Sequence, residues 1–406
     1  MANFIFISPN FPDNYWHFCA GLKEDGFTVL GIGDCPYDAL RPELRDALTE
    51  YYKVSTLENY GEVYRACAYF AFKYGRIDWL ESNNEYWLQR DAQLRLDFNI
   101  TTGLHPEDMP HVKAKSAMKD CYRAAGIPVA RYHMVDDEEG CLAFIKEVGW
   151  PVIVKPDSGV GASSTYRLEK EADLKAFLAE YRAGNSAAEA HAEPFIMEEF
   201  IAGEVQTYDA IIDSRGEPLF ETGNVTVGSI MYVVNDADNS MFYIRGKLPE
   251  DIRKAGRAAV KVFGVKSRFI HFEFFRLSKD QHIGKKGDVV ALEVNLRPSG
   301  GISPDMMNYA NATDVYKIWA DMAAFDRTDK PVGKRQNCVF ASRRNGKNFE
   351  YTSEFIRERY GAHIVEEGPV PEALSGAMAD YMFLAVFEEE ADVYKFAADV
   401  FRERQQ

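Results

Sequence analysis

The chain opens on NFIFISP, an almost unbroken apolar run bounded by Asn3 and Pro9, which predicts a strand buried on both faces. A helical pattern from Asn14 to Asp25 follows, and then FTVLGIGD as a second strand ending at Gly33 and Asp34. A helix near Tyr60 to Tyr74, the strand IDWLESNN running into a polar loop, and a helix around Glu85 to Phe98 carry the alternation to about residue 108. Strands alternating with helices predict an open parallel α/β unit.

From Val112 the pattern changes to a helix ending in AAGIP, the strand ARYHMV, the helix EEGCLAFIKEVG and the apolar strand WPVIVKP, which runs into DSGVGASST. The helix KEADLKAFLAEYR and the strand EPFIMEEF come next, with AGNSAAEAHAEP between them as a connecting segment. VQTYDAIID, EPLFETGNV and SIMYVV predict an antiparallel meander, and a helix from Pro249 to Phe263 leads into the strands RFIHFEFFRL and VVALEVNLRP. After a helix around Thr313 to Ala324, the tail from about Pro331 carries the strands CVFASRR and YMFLAVFEE among helices. The expected class is α/β and α+β, in four segments: 1–110, 111–194, 195–330 and 331–406.

Composition narrows the function. A chain of 406 residues with 46% hydrophobic content can build two to four packed units. Its 47 Lys and Arg against 63 Asp and Glu give a net charge of -16, which repels a phosphate backbone and argues against nucleic acid as a partner. There is no apolar run near the roughly 20 residues that cross a bilayer. The start MANFIFISPNF lacks the basic flank and cleavage site of a signal peptide, so no membrane partner and a cytoplasmic location are expected. Six scattered cysteines with no CxxC or Cys/His cluster read as reduced, mostly buried thiols, and eight dispersed histidines show no metal-ligand spacing.

Three segments carry candidate chemistry. In LEVNLRPSGG, Glu293, Asn295 and Arg297 alternate on one face of a strand while Leu292, Val294 and Leu296 are expected in the core. A carboxylate and a carboxamide two residues apart are hard ligands suited to Mg²⁺, and a guanidinium one step on can hold a phosphoryl or carboxylate oxygen. Glu273, in HFEFF, supplies a second carboxylate if the two strands pair. Lys155 ends the buried run PVIVK, where an ammonium is costly unless an anion meets it. The small-residue loop Asp157 to Thr165 that follows offers backbone amides and hydroxyls to phosphates, yet it is not a Walker A loop. In MEEFIAGE, an apolar strand ends at Glu198 and Glu199 and crosses into a loop whose backbone can read an adenine edge, with a glutamate near enough for ribose hydroxyls.

Taken in order, AKSAMKDCYRAAGIPVARY, PVIVKPDSGVGASS, MEEFIAGE, HFEFF and LEVNLRPSGG resemble the ATP-grasp superfamily over roughly Val112 to Ala324, and the segment before them resembles its pre-ATP-grasp domain. The resemblance implies a two-lobed ATP-grasp fold followed by a small C-terminal α+β domain. It also implies ATP and Mg²⁺ as cofactors, with Mn²⁺ an alternative ion. Lys115 and Lys155 would bind phosphates, with Lys113 the weaker candidate for the first position, and Ser158, Gly161, Ser163 and Ser164 would line the phosphate loop. Ala162 stands in that loop where glycine is common. Glu198, Glu199 and Ile201 fall on the adenine hinge, Glu204 on the ribose glutamate, and Arg245 on a phosphate or substrate contact. Glu273, Glu293 and Asn295 match the metal ligands, and Arg297, with Lys155, matches the catalytic cations.

Within the superfamily the layout is most similar to carboxylate-amine ligases, including L-amino acid ligases. It is also similar to biotin carboxylase and the halves of the carbamoyl-phosphate synthetase large subunit. The resemblance implies a ligase joining a small-molecule carboxylate to an amine through an acyl phosphate, and it allows a homodimer. The alternatives are a bicarbonate-using carboxylase type and a non-catalytic nucleotide-binding regulator.

Overall fold

The computed structural model describes residues 2–159, 164–186, 194–228 and 238–404. Its first sheet is parallel: β1 (Asn3–Ile7), β2 (Thr28–Gly33), β3 (Glu50–Lys53) and β4 (Trp79–Glu81), in the order β3-β2-β1-β4. Alternate residues of β1 enter two cores. Phe4 and Phe6 pack with Phe18 and Leu22 of the helix Trp16–Glu24, while Ile5 and Ile7 pack with Val63 and Phe70 of the helix Tyr60–Tyr74. Burial on both faces is why NFIFI shows no polar alternation. The chain leaves β1 on one side for β2 and β3 and returns on the other for β4. The carboxyl ends of β1 and β4 therefore flank a topological switch point, where sheets of this kind bind ligands. Strand β3 was not visible in the sequence, because EYYK is short and carries a charge at each end.

The second sheet is antiparallel, with β5 (Tyr132–Met134), β6 (Val152–Pro156), β7 (Tyr166–Leu168) and β8 (Phe195–Glu199) in the order β5-β8-β6-β7. Val152, Val154 and Met197 turn one face onto Cys141 and Ile145 of the helix Glu138–Val148 and onto Leu174, Phe177 and Leu178 of the helix Glu171–Ser186. Most of the expected connecting segment lies outside the described residues.

The third sheet holds β9 (Gly203–Ile212), β10 (Pro218–Thr222), β11 (Asn224–Val227), β12 (Ser240–Ile244), β13 (Arg268–Leu277), β14 (Val289–Asn295), β15 (Asn337–Arg343), β16 (Ile364–Pro369) and β17 (Tyr381–Phe387). Its path is β14-β13-β9-β11-β12-β15-β17-β16, with β10 paired to β9. The first two runs of the expected meander form β9, β10 and β11, and SIMYVV lies outside the described residues. The tail forms no sheet of its own. Strand β12 pairs with β15 from Ser240↔Ser342 to Ile244↔Cys338, so the boundary expected at residue 331 falls within one continuous sheet. On one face Tyr208, Ala210, Ile270, Phe272 and Phe274 pack with Ile252 and Ala259 of the helix Glu250–Val262 and with Met118 and Tyr122 of the helix Lys115–Ala124. On the other, Ile211, Phe269 and Phe340 join Trp319 and the aromatic residues of the first sheet in a single core.

A buried ionic network also joins the first sheet to the third. Glu81 Oε2, at the end of β4, lies 2.9 Å from Arg95 Nη2 and 2.8 Å from Arg268 Nη1 on β13. Arg268 Nε donates to Leu296 O at 3.0 Å, just past β14. Asp91 accepts from the Ser82 hydroxyl at 2.6 Å, and burial together with the Glu81 charge pushes its carboxyl up to about 7. A raised acid holds its proton more tightly in the folded chain than in the unfolded one. Its contribution is therefore present at low pH and is lost as pH rises through about 7. Asp91→Asn is expected to change stability little near pH 4 and to raise it by about 1–3 kcal/mol at pH 8. Chemical denaturation at the two pH values checks this; a lower midpoint at pH 8 contradicts it.

Candidate functional site

Three lysines meet where the second and third sheets face each other. Asp157, directly after β6, accepts from Ser116 N at 2.8 Å and Ser116 Oγ at 2.9 Å, and its carbonyl accepts from Lys115 N at 2.8 Å. An acid at the amino end of the helix Lys115–Ala124 suits the helix dipole and fixes that end beside β6. Lys115 and Lys119, four residues apart, then share one helix face. Lys115 Nζ lies 3.3 Å from Glu293 Oε1, and Lys119 Nζ and Lys155 Nζ lie 2.8 and 3.0 Å from the two oxygens of Glu198. Burial would raise the Glu198 carboxyl, but the two ammoniums reverse that and hold it down to about 2. Burial lowers Lys119 even so. Lys155, on which burial acts the same way, is carried above its usual range by Glu198, Glu293 and Glu273. Lys113 is bound instead to Glu85, 3.2 Å from its Oε1, and stands apart from the cluster that Lys115 joins.

Opposite the lysines, β13 and β14 pair with Glu273 directly across from Glu293 and His271 across from Asn295. Two like charges in cross-strand register repel. The Glu293 carboxyl is raised by its burial and by Glu273, against the pull of Lys115 and Lys155. Glu273, half-buried, would be raised by desolvation but is lowered by His271, Arg297 and Lys155. His271 Nδ1 lies 2.7 Å from Asp209 Oδ1 and its Nε2 lies 3.2 Å from Glu273 Oε1. The pair outweighs the effect of burial and carries His271 up to about 9, while Asp209 is held in turn by the Thr207 hydroxyl. Two facing carboxylates with a carboxamide beside them, all hard oxygen donors, fit Mg²⁺. The register slips between Glu273 and Phe274. This bulge leaves Leu292 half-buried rather than in the expected core position, while Ala291 and Val294 are buried.

Strand β14 ends at Asn295, so Arg297 stands on the turn beyond it rather than on the strand. Its Nη1 donates to Pro298 O at 2.7 Å and its Nη2 lies 3.5 Å from Asn295 Oδ1. The turn requires glycine at Gly301, where φ is +62° and a Cβ would lie 2.8 Å from Met378 Sδ. The Arg297 charge also reaches buried Tyr15, which donates to Asn83 O at 2.8 Å. Arg297 therefore lies near Tyr15 and Asn83, the latter just past the end of β4.

Lys115, Lys155, Glu198, Glu273, Glu293, Asn295 and Arg297 come together; other predicted positions do not join them. The Glu199 carboxylate is engaged by Arg131, whose Nη2 lies 2.7 Å from Oε2. Buried Ile201, by contrast, donates its N–H to no partner among the described residues. Glu204 accepts from Gln206 at 2.9 Å on the Tyr208 face of β9, away from Thr207, Asp209 and the metal face. Arg245 pairs with Glu390 at 3.0 Å, away from the lysines. Ser158 is half-buried past β6, Ser164 is exposed at φ 57°, and Gly161 and Ser163 lie outside the described residues. Lys119, Asp157 and the His271–Asp209 pair were missed. The KSAMK spacing and the histidine two residues before Glu273 were the signals available.

A family profile described as an ATP-grasp domain matches residues 148–305. Over 94 residues, 23% of this chain and 22% of the relative, the chain is 36% identical to an L-arginine-specific L-amino acid ligase from Bacillus subtilis. Over 102 residues, 25% and 24% of the two chains, it is 30% identical to a phosphoribosylamine–glycine ligase from Allochromatium vinosum. The chain thus spans about a quarter of the length of these relatives. An L-amino acid ligase structure from Bacillus licheniformis superposes over 98% of this chain and 97% of its own, with a TM-score of 0.70 at 14% identity. A biotin carboxylase from Campylobacter jejuni does so over 97% and 89%, with a TM-score of 0.67 at 17% identity. Both likenesses are of fold.

Proposed function

We propose that this chain, whose residues 148–305 match an ATP-grasp domain profile, is an ATP- and Mg²⁺-dependent ligase that activates a small-molecule carboxylate as an acyl phosphate and passes it to an amine, releasing ADP and phosphate. One observation carries this reading: Glu273 and Glu293 oppose each other across β13 and β14, with Asn295 beside them and Lys115, Lys155 and Arg297 around them. That is a donor set for a divalent cation ringed by cations for phosphate.

Transfer of a phosphoryl group to a carboxylate needs charge neutralisation and in-line positioning more than a protein nucleophile. When bound, the metal draws charge from the phosphate oxygens. Lys115, at the start of its helix, and Lys155, at the end of β6, would hold those oxygens, and the Ile201 amide would meet the base. Arg297, free of the metal set, orients the acceptor carboxylate and steadies the negative charge that develops when the amine attacks. The net charge of -16 and the absence, among the described residues, of a helix long and apolar enough to cross a membrane support a cytoplasmic enzyme of small molecules.

The test is ADP and phosphate release against a panel of amino acids and against bicarbonate alone, with mass spectrometry of the product. Amine-dependent release with a condensed product supports the reading. Release driven by bicarbonate alone, or none with any substrate, overturns it. Glu293→Gln keeps the shape but removes one ligand charge, so the Mg²⁺ concentration for half-maximal turnover is expected to rise about tenfold. An unchanged Mg²⁺ titration contradicts the metal assignment.

A further inference from the structure

Away from this face, strand β5 and the start of the helix Glu138–Val148 bring three unlike ligand atoms together. His133, Asp136 and Cys141 each present a donor, all within 4.8 Å of one another, and no other such group of histidine, cysteine and acidic residues occurs among the described residues. His133 Nε2 lies 2.9 Å and Cys141 Sγ 3.9 Å from Asp136 Oδ1. A tetrahedral zinc ion holds neighbouring N, O and S donors roughly 3.3–3.7 Å apart, so the trio needs only small side-chain shifts to close on one ion. The surroundings hold the donors in place. The His133 ring stacks on Phe144 with centroids 5.9 Å apart, Cys141 is fully buried in the second helix turn, and Asp137 caps that helix at Gly140 N. A Cβ on Gly140 would lie 2.5 Å from Asp136 Oδ1, so glycine there is what admits the carboxylate.

The geometry points to a site for a borderline transition metal, Zn²⁺ or its analogue Co²⁺, bound by His133, Asp136 and Cys141 with water as the fourth ligand. Nitrogen, carboxylate and thiolate together suit zinc and not the magnesium of the oxygen-only face. Binding releases the Cys141 proton to solvent. The ion clamps edge strand β5 to the helix that covers it, one residue from Tyr132, over whose ring Lys119 Nζ lies at 5.9 Å. It does not depend on the ligase reading.

The experiment is a Co²⁺ titration of the reduced, chelator-treated chain in excess Mg²⁺, read at the near-ultraviolet thiolate-to-cobalt charge-transfer band, which carboxylate ligation does not produce. The band should saturate near one equivalent, vanish on adding Zn²⁺, be absent in Cys141→Ser and weaken about tenfold or more in His133→Gln. His133→Gln, at a half-exposed ring, carries the test if Cys141→Ser fails to fold. No band in the wild type, or a band undiminished in His133→Gln, overturns the site.

Discussion

Arg297→Lys is expected to leave ATP affinity within a few fold while lowering ligase turnover about a hundredfold or more. The substitution keeps the charge and loses the planar fork. That distinction matters here because Arg297 stands just past the end of β14, with its Nη2 3.5 Å from Asn295 Oδ1 and its Nη1 tied to Pro298 O. The guanidinium is thereby anchored at one end beside Asn295, a geometry that an ammonium on a flexible stem cannot reproduce. Arg297 is not among the proposed nucleotide contacts, Lys115, Lys155 and the Ile201 amide, so binding measured by calorimetry should hardly move. Wild-type product yield from Arg297→Lys at saturating ATP and substrate would sink the proposed mechanism even with the fold intact.

How much was legible depended on whether the information was local. NFIFI, FTVLGIG and PVIVK declare themselves as strands because burial on both faces leaves a continuous apolar run. Strand β12 was hidden because SMFYI is short and its partner, β15, is almost a hundred residues away in the tail. The same distance hid the fact that the tail extends the central sheet. In the site, Glu273, Glu293 and Asn295 were visible because alternation places them on one face, and pairing of β13 with β14 then sets two of them opposite each other. The bulge at Leu292 was not visible, since a register slip needs the partner strand to be known. Glu204 and Arg245 were proposed by resemblance. Glu204 is engaged by Gln206, two residues on along β9, whereas Arg245 is held by Glu390 far along the chain, which no local pattern could supply. The trio His133, Asp136 and Cys141 mixes residue types across a strand end and a helix turn, and so escaped a search for regular ligand spacing.

Glu198→Gln is expected to cost about 3–5 kcal/mol, the largest stability loss of any single change at the site, because it strands two buried ammoniums at once. Lys119 and Lys155 each place Nζ within 3.0 Å of this one carboxylate. Lys155 also feels Glu273 and Glu293, whereas Lys119 has no other acid beside it among the described residues, and burial already lowers it. The orphaned Lys119 should therefore account for most of the loss, and the double variant Glu198→Gln/Lys119→Met should recover about 1–2 kcal/mol of it. The pH dependence follows from the carboxyl held down to about 2. A depressed acid contributes stability that is fully present above its unfolded value of about 4.3 and is lost as pH falls through the folded value. The wild type should lose about 1.5 kcal/mol between pH 5 and pH 3 from this group, a slope that Glu198→Gln should lack. Denaturant unfolding of the three proteins at pH 7, 5 and 3 decides the matter. A wild type and Glu198→Gln of equal stability at pH 7 would show that the two lysines find other partners, and an unrescued double variant would move the cost from Lys119 to Lys155.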